Sequence, residues 1–319
     1  MSRNLEVVSV NVSEQKGTVK RPVGRITLDA RGVQGDAHAG PGHRQVSLLG
    51  QESIARLAGR MGRAIGPGEF GENVTLRGLD VRGVAVLDRL RFGEVELEVA
   101  QIGKECHGAR CAIFREVGQC VMPVEGIFGR VLRGGCLAAG EQGIHDSRLL
   151  RFLILTLSDR AAAGQYEDRS GPRIRALVEG WLAGRRWHPR IDAKILPDDA
   201  GQLRAELLAA LAAGADVIFT TGGTGVGPRD ITPETAAAVC QRLIPGIMEN
   251  IRLKFGALKP NALLSRAIAG VAGTTQIYTL PGSVPAVEEY LGEILKTLEH
   301  LIFMLHGLDV HRPKHECPQ

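Results

Sequence analysis

The first half of the chain alternates hydrophobic and polar residues with a period of two. In one such segment Val95, Leu97 and Val99 alternate with glutamates. Short apolar runs separated by glycines occur in several places: Leu5–Val12, Val74–Leu76, Leu90–Phe92 and Val95–Ile102. This pattern is typical of antiparallel β-structure with tight turns. We therefore predict a mostly β, barrel-like domain over residues 1–145, with one helix near Gln51–Met61.

From residue 148 the pattern changes to buried strands that alternate with helices. Leu149–Leu157 is a continuous apolar run, as expected for a strand covered on both faces. Residues 203–213 place leucines on one helical face and end at Gly214. This alternation predicts a three-layer, doubly wound α/β domain with a mostly parallel sheet over residues 146–307.

Several other elements of this second domain are predicted from the same pattern. Further strands are expected at Asp192–Leu196, Ala215–Thr221 and Gln276–Leu280. A long final helix is expected after Ser283, with one apolar stripe: Val287, Leu291, Ile294, Leu295 and Leu298. The polar stretch Gln142–Ser147 is predicted to be the hinge between the domains, and residues 308–319 to be a C-terminal tail.

Composition narrows the class of protein. A length of 319 residues favours two domains, and a net charge of +4 with interleaved acidic and basic residues argues against nucleic acid as a partner. The N-terminus lacks the apolar core of a signal peptide, and no apolar run reaches the length of a membrane span. We therefore expect a cytoplasmic protein without a membrane partner, in which the cysteines stay reduced.

The clearest chemical signal is a glycine cluster that follows a buried strand. Gly222, Gly223 and Gly225 would let the backbone approach a ligand and present N–H groups to phosphate oxygens. A helix is expected from Pro233, with Thr232 as its cap. Asp230, just beyond the glycines, would repel phosphate unless it binds Mg²⁺ or orients a nucleophile.

Other predicted strand ends carry matching polar residues. Asp159 follows the first strand of this domain, Asp198 follows the second, and Ser283 follows the last. In a parallel sheet these ends meet at one edge, where open α/β sheets bind ligands. We therefore expect a shared site rather than unrelated surface turns.

These motifs, in this order, resemble the molybdopterin adenylyltransferase family. The matching segments are Ser158–Arg160, Gly164–Asp168, Leu196–Asp198, Thr220–Gly225, Arg229–Pro233, Pro245–Gly246, Glu249 and Leu280–Ser283. The resemblance implies transfer of AMP from Mg-ATP to the terminal phosphate of molybdopterin, and a trimeric assembly.

The same resemblance assigns roles to individual residues. Asp198 and Asp230 match the family's functional carboxylates, which bind Mg²⁺ or orient a reacting group. Arg229 is a candidate for stabilising charge or an ordinary solvated residue. Residues that the resemblance places around ATP or molybdopterin are Ser158, Asp159, Thr221, Gly222, Gly223, Thr224, Gly225, Glu249, Pro281, Gly282 and Ser283.

The first half resembles the MOSC family, whose domains are similar to the C-terminal part of molybdenum cofactor sulfurase. The matching segments are Gly32–His38, Arg44–Leu49, Gly66–Asn73, Gly78–Asp80 and Glu105–Cys106. The resemblance implies a barrel-like domain that binds molybdenum cofactor and carries sulfur on a cysteine, which would be Cys106. Candidates for cofactor contacts are His38, His43, Arg44, Glu72 and Asn73, and turn or capping roles are equally open for the last two.

Alternatives remain open at this point. Cys106, Cys111, Cys120 and Cys136 lack the paired spacing of a typical zinc site, so zinc, a reactive Cys106 thiolate and ordinary thiols all remain. The whole chain could instead be a non-catalytic carrier of molybdopterin or molybdenum cofactor, or a sulfur-transfer protein. In each case the acceptor would be a molybdenum insertase or a molybdoenzyme.

Overall fold

The computed structural model describes residues 2–104, 114–115 and 120–308. Contacts between residues divide the chain into two compact units, one ending at Arg148 and one beginning at Leu149, with the segment Arg186–His188 grouped with the first. The domain limits that we predicted, 1–145, 146–307 and 308–319, stay predictions.

The first unit is mostly β-structure. Its strands are β1 Ser2–Val12, β2 Arg21–Val23, β3 Arg25–Asp29, β4 Gly32–Val33, β5 Val46–Gly50, β6 Val74–Arg77, β7 Arg89–Phe92, β8 Val95–Ile102, β9 Ile127–Arg133, β10 Gly135–Ala138 and β11 Gln142–Asp146. Its helices are α1 Gln51–Met61 and α2 Met122–Glu125, with a 3₁₀ turn at Val81–Gly83.

Seven of these strands close into a barrel. The hydrogen-bonded order is β11-β7-β8-β9-β5-β6-β1, and β1 pairs again with β11. Val7, Leu48 and Leu97 are fully buried in the core that these strands surround. The strand pairs are antiparallel except β5 with β6, which are parallel because helix α1 carries the chain back between them. The barrel-like fold predicted from the sequence is confirmed.

The predicted hinge at Gln142–Ser147 is wrong. Residues Gln142–Asp146 form strand β11, which closes the barrel by pairing with β1 and β7. The sequence of this stretch resembles a polar linker, but Gly143 and His145 are buried, and Gln142 and Ile144 are exposed, as in a strand with one inward face. His145 is fully buried because its Nε2 contacts the carboxylate of Asp88 at 2.7 Å.

The second unit alternates strands with helices. Its strands are β12 Leu149–Leu157, β13 His188–Leu196, β14 Val217–Thr221, β15 Arg242–Leu243, β16 Ala269–Ala272 and β17 Thr275–Leu280. Its helices are α3 Asp159–Ala162, α4 Ser170–Leu182, α5 Ala200–Ala212, α6 Thr232–Ala237, α7 Pro245–Gly256, α8 Val284–Ile294 and α9 Leu298–Leu305, with a 3₁₀ turn at Pro260–Leu264.

These strands form one sheet with helices on both faces. The strand order is β13-β12-β14-β17-β16-β15, in which β12, β14 and β17 are parallel and the last two strands run antiparallel. Leu155 of β12 packs with Leu203 and Leu207 of α5 on one face. Helices α4 and α8 pack together and contact β12 and β17. The predicted three-layer, mostly parallel α/β domain is confirmed.

The prediction of a single long helix after Ser283 is wrong, because the structure has two helices there. The helix stops at Ile294 and a second one starts at Leu298. Between them, Lys296 and Thr297 donate their N–H groups three residues back, and the Thr297 hydroxyl also donates to the Ile294 carbonyl. The chain tightens into a turn there, while Val287, Leu291, Ile294 and Leu298 stay fully buried.

Candidate functional site

The ends of four strands meet at one edge of the second unit's sheet, as expected. Thr221 at the end of β14 is in register with Thr156 of β12 and with Leu280 of β17. The Ser158 N–H donates to the Leu196 carbonyl at 2.9 Å, which brings the end of β13 to the same place. The loops after these strands are therefore neighbours.

The glycine loop has its carbonyl groups turned into the protein. The Gly222 carbonyl accepts from the Thr232 hydroxyl at 2.9 Å, and the Gly223 carbonyl accepts from the Thr232 N–H at 3.1 Å. The next two carbonyls, of Thr224 and Gly225, accept from the N–H and Nε of Arg266 at 2.9 and 2.6 Å. Among the residues that the structure describes, the N–H groups of residues 223–225 donate no hydrogen bond. The loop therefore offers unbonded amides, the arrangement that binds phosphate oxygens.

Two glycines of this loop are required by space as well as by backbone angle. Gly222 has φ +103°, and a Cβ there would lie 2.3 Å from the Leu157 carbonyl oxygen. Gly223 has φ +62°, and a Cβ there would lie 2.7 Å from the Thr232 hydroxyl. Any side chain would push the loop away from β12 or from α6. The packing that brings the amides to the strand edge depends on both glycines.

Two carboxylates lie at the same edge, and the charge of Asp230 disfavours the ionised form of Asp198. Asp198 and Asp230 both line a cavity of about 290 Å³, together with Gly223 and Ser158. Partial burial raises the pKa of Asp198, and the nearby charge of Asp230 raises it further. Such a pair is stabilised by a bound cation, and carboxylate oxygens are ligands that Mg²⁺ prefers.

Asp159 and Arg229 also line this cavity. Asp159 and Asp198 bond each other's backbone: the Asp198 N–H donates to Asp159 Oδ1 at 2.9 Å, and the Asp159 N–H to Asp198 Oδ2 at 3.3 Å. Arg229 forms an ion pair with Asp159. Ser158 caps helix α3, since its hydroxyl accepts from the Ala161 N–H. The lining of the cavity thus contains two arginines, Arg160 and Arg229, and three carboxylates.

The segment after strand β17 contributes mainly backbone groups to this edge of the sheet. The Thr221 hydroxyl donates to the Pro281 carbonyl at 2.9 Å, and a Cβ on Gly282 would lie 3.4 Å from the Gly222 Cα. Ser283 is exposed at the start of α8, where its side chain makes no capping hydrogen bond. Ser283 occupies the N-cap position of this helix, but its hydroxyl is not used for capping and remains available to a ligand.

Two other predictions differ from the structure. Thr232 does not cap a helix: it is the first residue of α6, and its hydroxyl donates to the Gly222 carbonyl instead. Glu249 lies exposed on α7 and does not line the cavity around Asp198. The structure brings together the other predicted residues of this unit.

Arg266 is the functional candidate that sequence reasoning missed. It lies between the 3₁₀ turn and β16, with no glycine, acidic pair or strand end beside it to mark it. Its guanidinium reaches the glycine loop, and no sequence spacing indicates that contact.

In the first unit the candidates surround a buried ion pair. Lys20 and Asp36 are each about 1% exposed at the side chain and contact each other directly. Burial alone would raise the pKa of Asp36, but hydrogen bonds from His38 and Lys20 hold it below the ordinary range. Burial lowers the pKa of Lys20. His38 lies at the surface side of this pair, with Nδ1 3.3 Å from Asp36 Oδ1.

Glu72 and Asn73 are buried inside the barrel wall. Glu72 Oε1 accepts from the Gly68 N–H at 2.6 Å, and burial raises the pKa of this carboxyl group. The Asn73 side chain accepts from Ser47 and donates to the Asn11 carbonyl at 3.2 Å. These bonds favour the turn role for Asn73. The second carboxylate oxygen of Glu72 is buried without a hydrogen-bond partner among the described residues, so both roles stay open for Glu72.

The remaining candidates of this unit are at the surface or outside the described residues. His43 contacts the Gln101 side chain at 3.2 Å, and Arg44 is exposed. Cys106 and Cys111 lie outside the described residues. In the ranges that the structure describes, no three His, Cys, Asp or Glu side chains form a group that could hold a metal ion. No helix in those ranges is long and apolar enough to cross a membrane.

Comparison with known proteins divides the chain in the same way. The family model described as "Probable molybdopterin binding domain" matches residues 153–300, and the MOSC domain model matches residues 34–142. A molybdopterin adenylyltransferase of Helicobacter pylori is 32% identical over 155 residues, which are 48% of this chain and 86% of that protein.

Two longer proteins match the same half of the chain. Gephyrin of Dictyostelium discoideum is 37% identical over 52% of this chain, and the match covers 23% of gephyrin. A molybdenum cofactor biosynthesis bifunctional protein of Synechococcus elongatus is 36% identical over 49% of this chain, covering 47% of that protein. The chain thus spans less than half of these two relatives, whereas it spans most of the Helicobacter enzyme. Through its second unit the chain belongs to the molybdopterin adenylyltransferase family, and a MOSC domain precedes that unit.

Proposed function

We propose that the second unit transfers AMP from Mg-ATP to the terminal phosphate of molybdopterin and releases pyrophosphate. The observation that carries this proposal is the glycine loop. Four successive carbonyls, from Gly222 to Gly225, are bonded inwards, which leaves the amides of residues 223–225 for phosphate oxygens. A phosphate-binding loop beside paired carboxylates is what transfer of a nucleotide between two phosphates requires.

The two carboxylates fit a magnesium ion. Asp198 and Asp230 line one cavity, and the charge of Asp230 disfavours the ionised form of Asp198, so a divalent cation would relieve this repulsion. Mg²⁺ held there would neutralise charge on the phosphate groups of ATP. Asp159 is part of the same wall and, through its backbone bonds to Asp198, keeps that residue in place.

The residues of the chain would mainly bind and orient the substrates. The amides of residues 223–225 hold phosphate oxygens, and the Arg229 guanidinium, which lines the same cavity, compensates negative charge on them. The exposed Ser283 hydroxyl and the N-terminus of α8 lie after the neighbouring strand, where a further anionic group of molybdopterin would bind. The attacking atom is a phosphate oxygen of molybdopterin, so no protein nucleophile is needed.

The MOSC domain is proposed to bind the molybdenum cofactor. The partly exposed His38, held over the buried Lys20–Asp36 pair, and the exposed Arg44 are the candidates for contact with an anionic cofactor. Sulfur carriage on Cys106 stays a prediction. A molybdenum insertase or a molybdoenzyme would receive the product.

We also propose that the second unit assembles as a trimer. Its surface carries exposed leucines just before, on and after α7: Leu243, Leu253, Leu258, Leu263 and Leu264, between 51 and 77% exposed. An apolar group of this size is typical of an interface between subunits. Native mass spectrometry of the full chain should show a trimer, and Leu253→Lys should shift it towards the monomer.

The activity is tested by incubating the full chain with Mg-ATP and molybdopterin and measuring pyrophosphate and the adenylylated pterin. The protein should form both, and Asp230→Asn should form neither while it keeps the wild-type circular dichroism spectrum. Asp199→Asn is the matched control, because this neighbouring carboxylate only caps α5, a role that asparagine also fills. Molybdopterin binding without pyrophosphate release would instead indicate a carrier.

A further inference from the structure

One guanidinium group ties the two ends of the turn that carries Asp230. Arg266 Nε donates to the Gly225 carbonyl at 2.6 Å, and Nη2 donates to the Asp230 carbonyl at 2.7 Å. Its third nitrogen, Nη1, forms an ion pair with Glu234. The backbone N–H of the same residue donates to the Thr224 carbonyl at 2.9 Å. Arg266 thus makes four contacts, three with carbonyls of the loop and one with Glu234 of the following helix.

The turn between these two points has little else to hold it. Residues 226–229 are exposed. Inside the turn, the Asp230 N–H donates to the Gly227 carbonyl at 3.0 Å, and the Gly227 N–H donates to Asp230 Oδ2 at 2.7 Å. These two bonds shape the turn but do not attach it to the sheet. Two groups make that attachment: the exposed Arg229, through its ion pair with Asp159, and the Arg266 guanidinium, from a segment that leads directly into strand β16.

We propose that Arg266 is the positioning residue of the phosphate loop. The guanidinium group donates hydrogen bonds to the Gly225 and Asp230 carbonyls and so turns these carbonyls away from the cavity. The amides of residues 223–225 and the Asp230 carboxylate are thereby directed to the substrate side. This inference rests on the proposed adenylyl transfer for its kinetic part, and its structural part stands independently.

The geometry of the guanidinium matters more than its charge. Glu234 already compensates the charge, and the ion pair is partly exposed. The planar fork donates in two directions to two carbonyls, which a lysine ammonium on a flexible stem does not reproduce. Arg266→Lys should therefore retain only part of the function that Arg266→Met loses.

The test compares Arg266→Met with Arg252→Met in the full chain. Arg252 is a matched control because its Nη1 also donates to backbone carbonyls, of Ser265 and Ala267, which flank Arg266. It does not contact the glycine loop. Hydrogen–deuterium exchange of residues 222–231 and steady-state kinetics, including the Mg²⁺ concentration at half-maximal rate, are measured for both variants and for Arg266→Lys.

We expect Arg266→Met to speed amide exchange in residues 222–231 while exchange in strand β12 stays unchanged. The kcat should fall by about 10²-fold, as for a misplaced catalytic group. The Mg²⁺ concentration at half-maximal rate should rise, and Arg266→Lys should be intermediate. Arg252→Met should show none of these changes.

Two results would overturn the inference: wild-type exchange of residues 222–231 in Arg266→Met, or an equal fall in kcat in Arg252→Met. If the wild-type protein itself releases no pyrophosphate, the proposed function fails. The exchange measurement then still decides whether Arg266 positions the loop.

Discussion

Replacing Asp198 with asparagine should make the protein more stable and inactive at the same time. The pKa of Asp198 is raised by burial and by the charge of Asp230. A raised pKa in the folded state means that the carboxyl group favours folding while it is protonated. That contribution is complete below the unfolded pKa of about 3.8 and is lost as the pH rises through the folded pKa. At pH 7 the ionised side chain therefore opposes folding, and asparagine removes this effect.

The size of the effect follows from the repulsion between the two carboxylates. For a separation on the order of 6 Å, Coulomb's law gives about 0.7 kcal/mol in water and about 3 kcal/mol at an effective dielectric constant of about 20. Asp198 is only partly buried, so solvent screening places the value near the lower limit. We expect Asp198→Asn to raise the free energy of unfolding by about 1 kcal/mol and Tm by about 3 °C.

The assay is urea unfolding followed by tryptophan fluorescence, with Trp187 replaced by phenylalanine in every variant because its segment is grouped with the first unit. Trp181 is buried in α4, and its indole N–H donates to the Leu295 carbonyl, so its emission reports on the second unit. Mg²⁺ at about ten times its dissociation constant should stabilise the wild type by about 1.4 kcal/mol and Asp198→Asn much less. The advantage of the variant should disappear towards pH 4. Asp199→Asn is the control and should change neither property.

Either of two outcomes would refute this reasoning. One is a variant that is less stable than the wild type at pH 7. The other is a variant that Mg²⁺ stabilises as strongly as it stabilises the wild type.

Four further predictions follow from the same structure. Gly222→Ala should abolish activity and lower the free energy of unfolding much more than Gly214→Ala does. Gly214 has a similar left-handed backbone but no atom within 4 Å of the new Cβ, so Gly214→Ala should cost about 1 kcal/mol in urea unfolding. Equal losses would contradict the close approach of Gly222 to β12. Lys20→Met should destabilise the barrel by about 3 kcal/mol, because it removes the buried cation that neutralises Asp36 and leaves that carboxylate only hydrogen-bond donors from His38 and Ser13; calorimetry against the exposed Arg21→Met checks this. A fragment of residues 146–319 should fold, self-associate and bind molybdopterin, and an unfolded circular dichroism spectrum would disprove the predicted domain limit. A limiting alkylating reagent should label Cys106 before the other cysteines of native protein, as peptide mapping would show, if it is a reactive thiolate; labelling only after denaturation would indicate an ordinary buried thiol.

The parts of the fold that the sequence predicts well have strong local patterns. Strand Leu149–Leu157 and helix Gln51–Met61 were predicted with their observed limits, because an unbroken apolar run and a helical period leave few alternatives. The glycine loop was also predictable, since three glycines and an aspartate after a buried strand have few structural explanations. The position of strand ends then follows from the parallel sheet.

The features that sequence reasoning missed depend on long-range contacts. Strand Gln142–Asp146 looks like a polar linker, because its inward residues are a glycine and a histidine whose partner, Asp88, is far away in the sequence. Lys20 looks like a surface residue until the fold places it beside Asp36. Arg266 joins the phosphate loop from about 40 positions away. No local pattern indicates such pairings, so only the folded structure reveals them.

The measurement that tests the central claim most directly follows the phosphorus atoms of ATP. The full chain is incubated with molybdopterin, Mg²⁺ and ATP labelled at either the α- or the γ-phosphate, and the products are separated. We predict that the α-label joins the pterin and that the γ-label is released in pyrophosphate, with both transfers absent in Asp230→Asn. Transfer of the γ-label to the pterin, or its release as inorganic phosphate alone, would contradict adenylyl transfer.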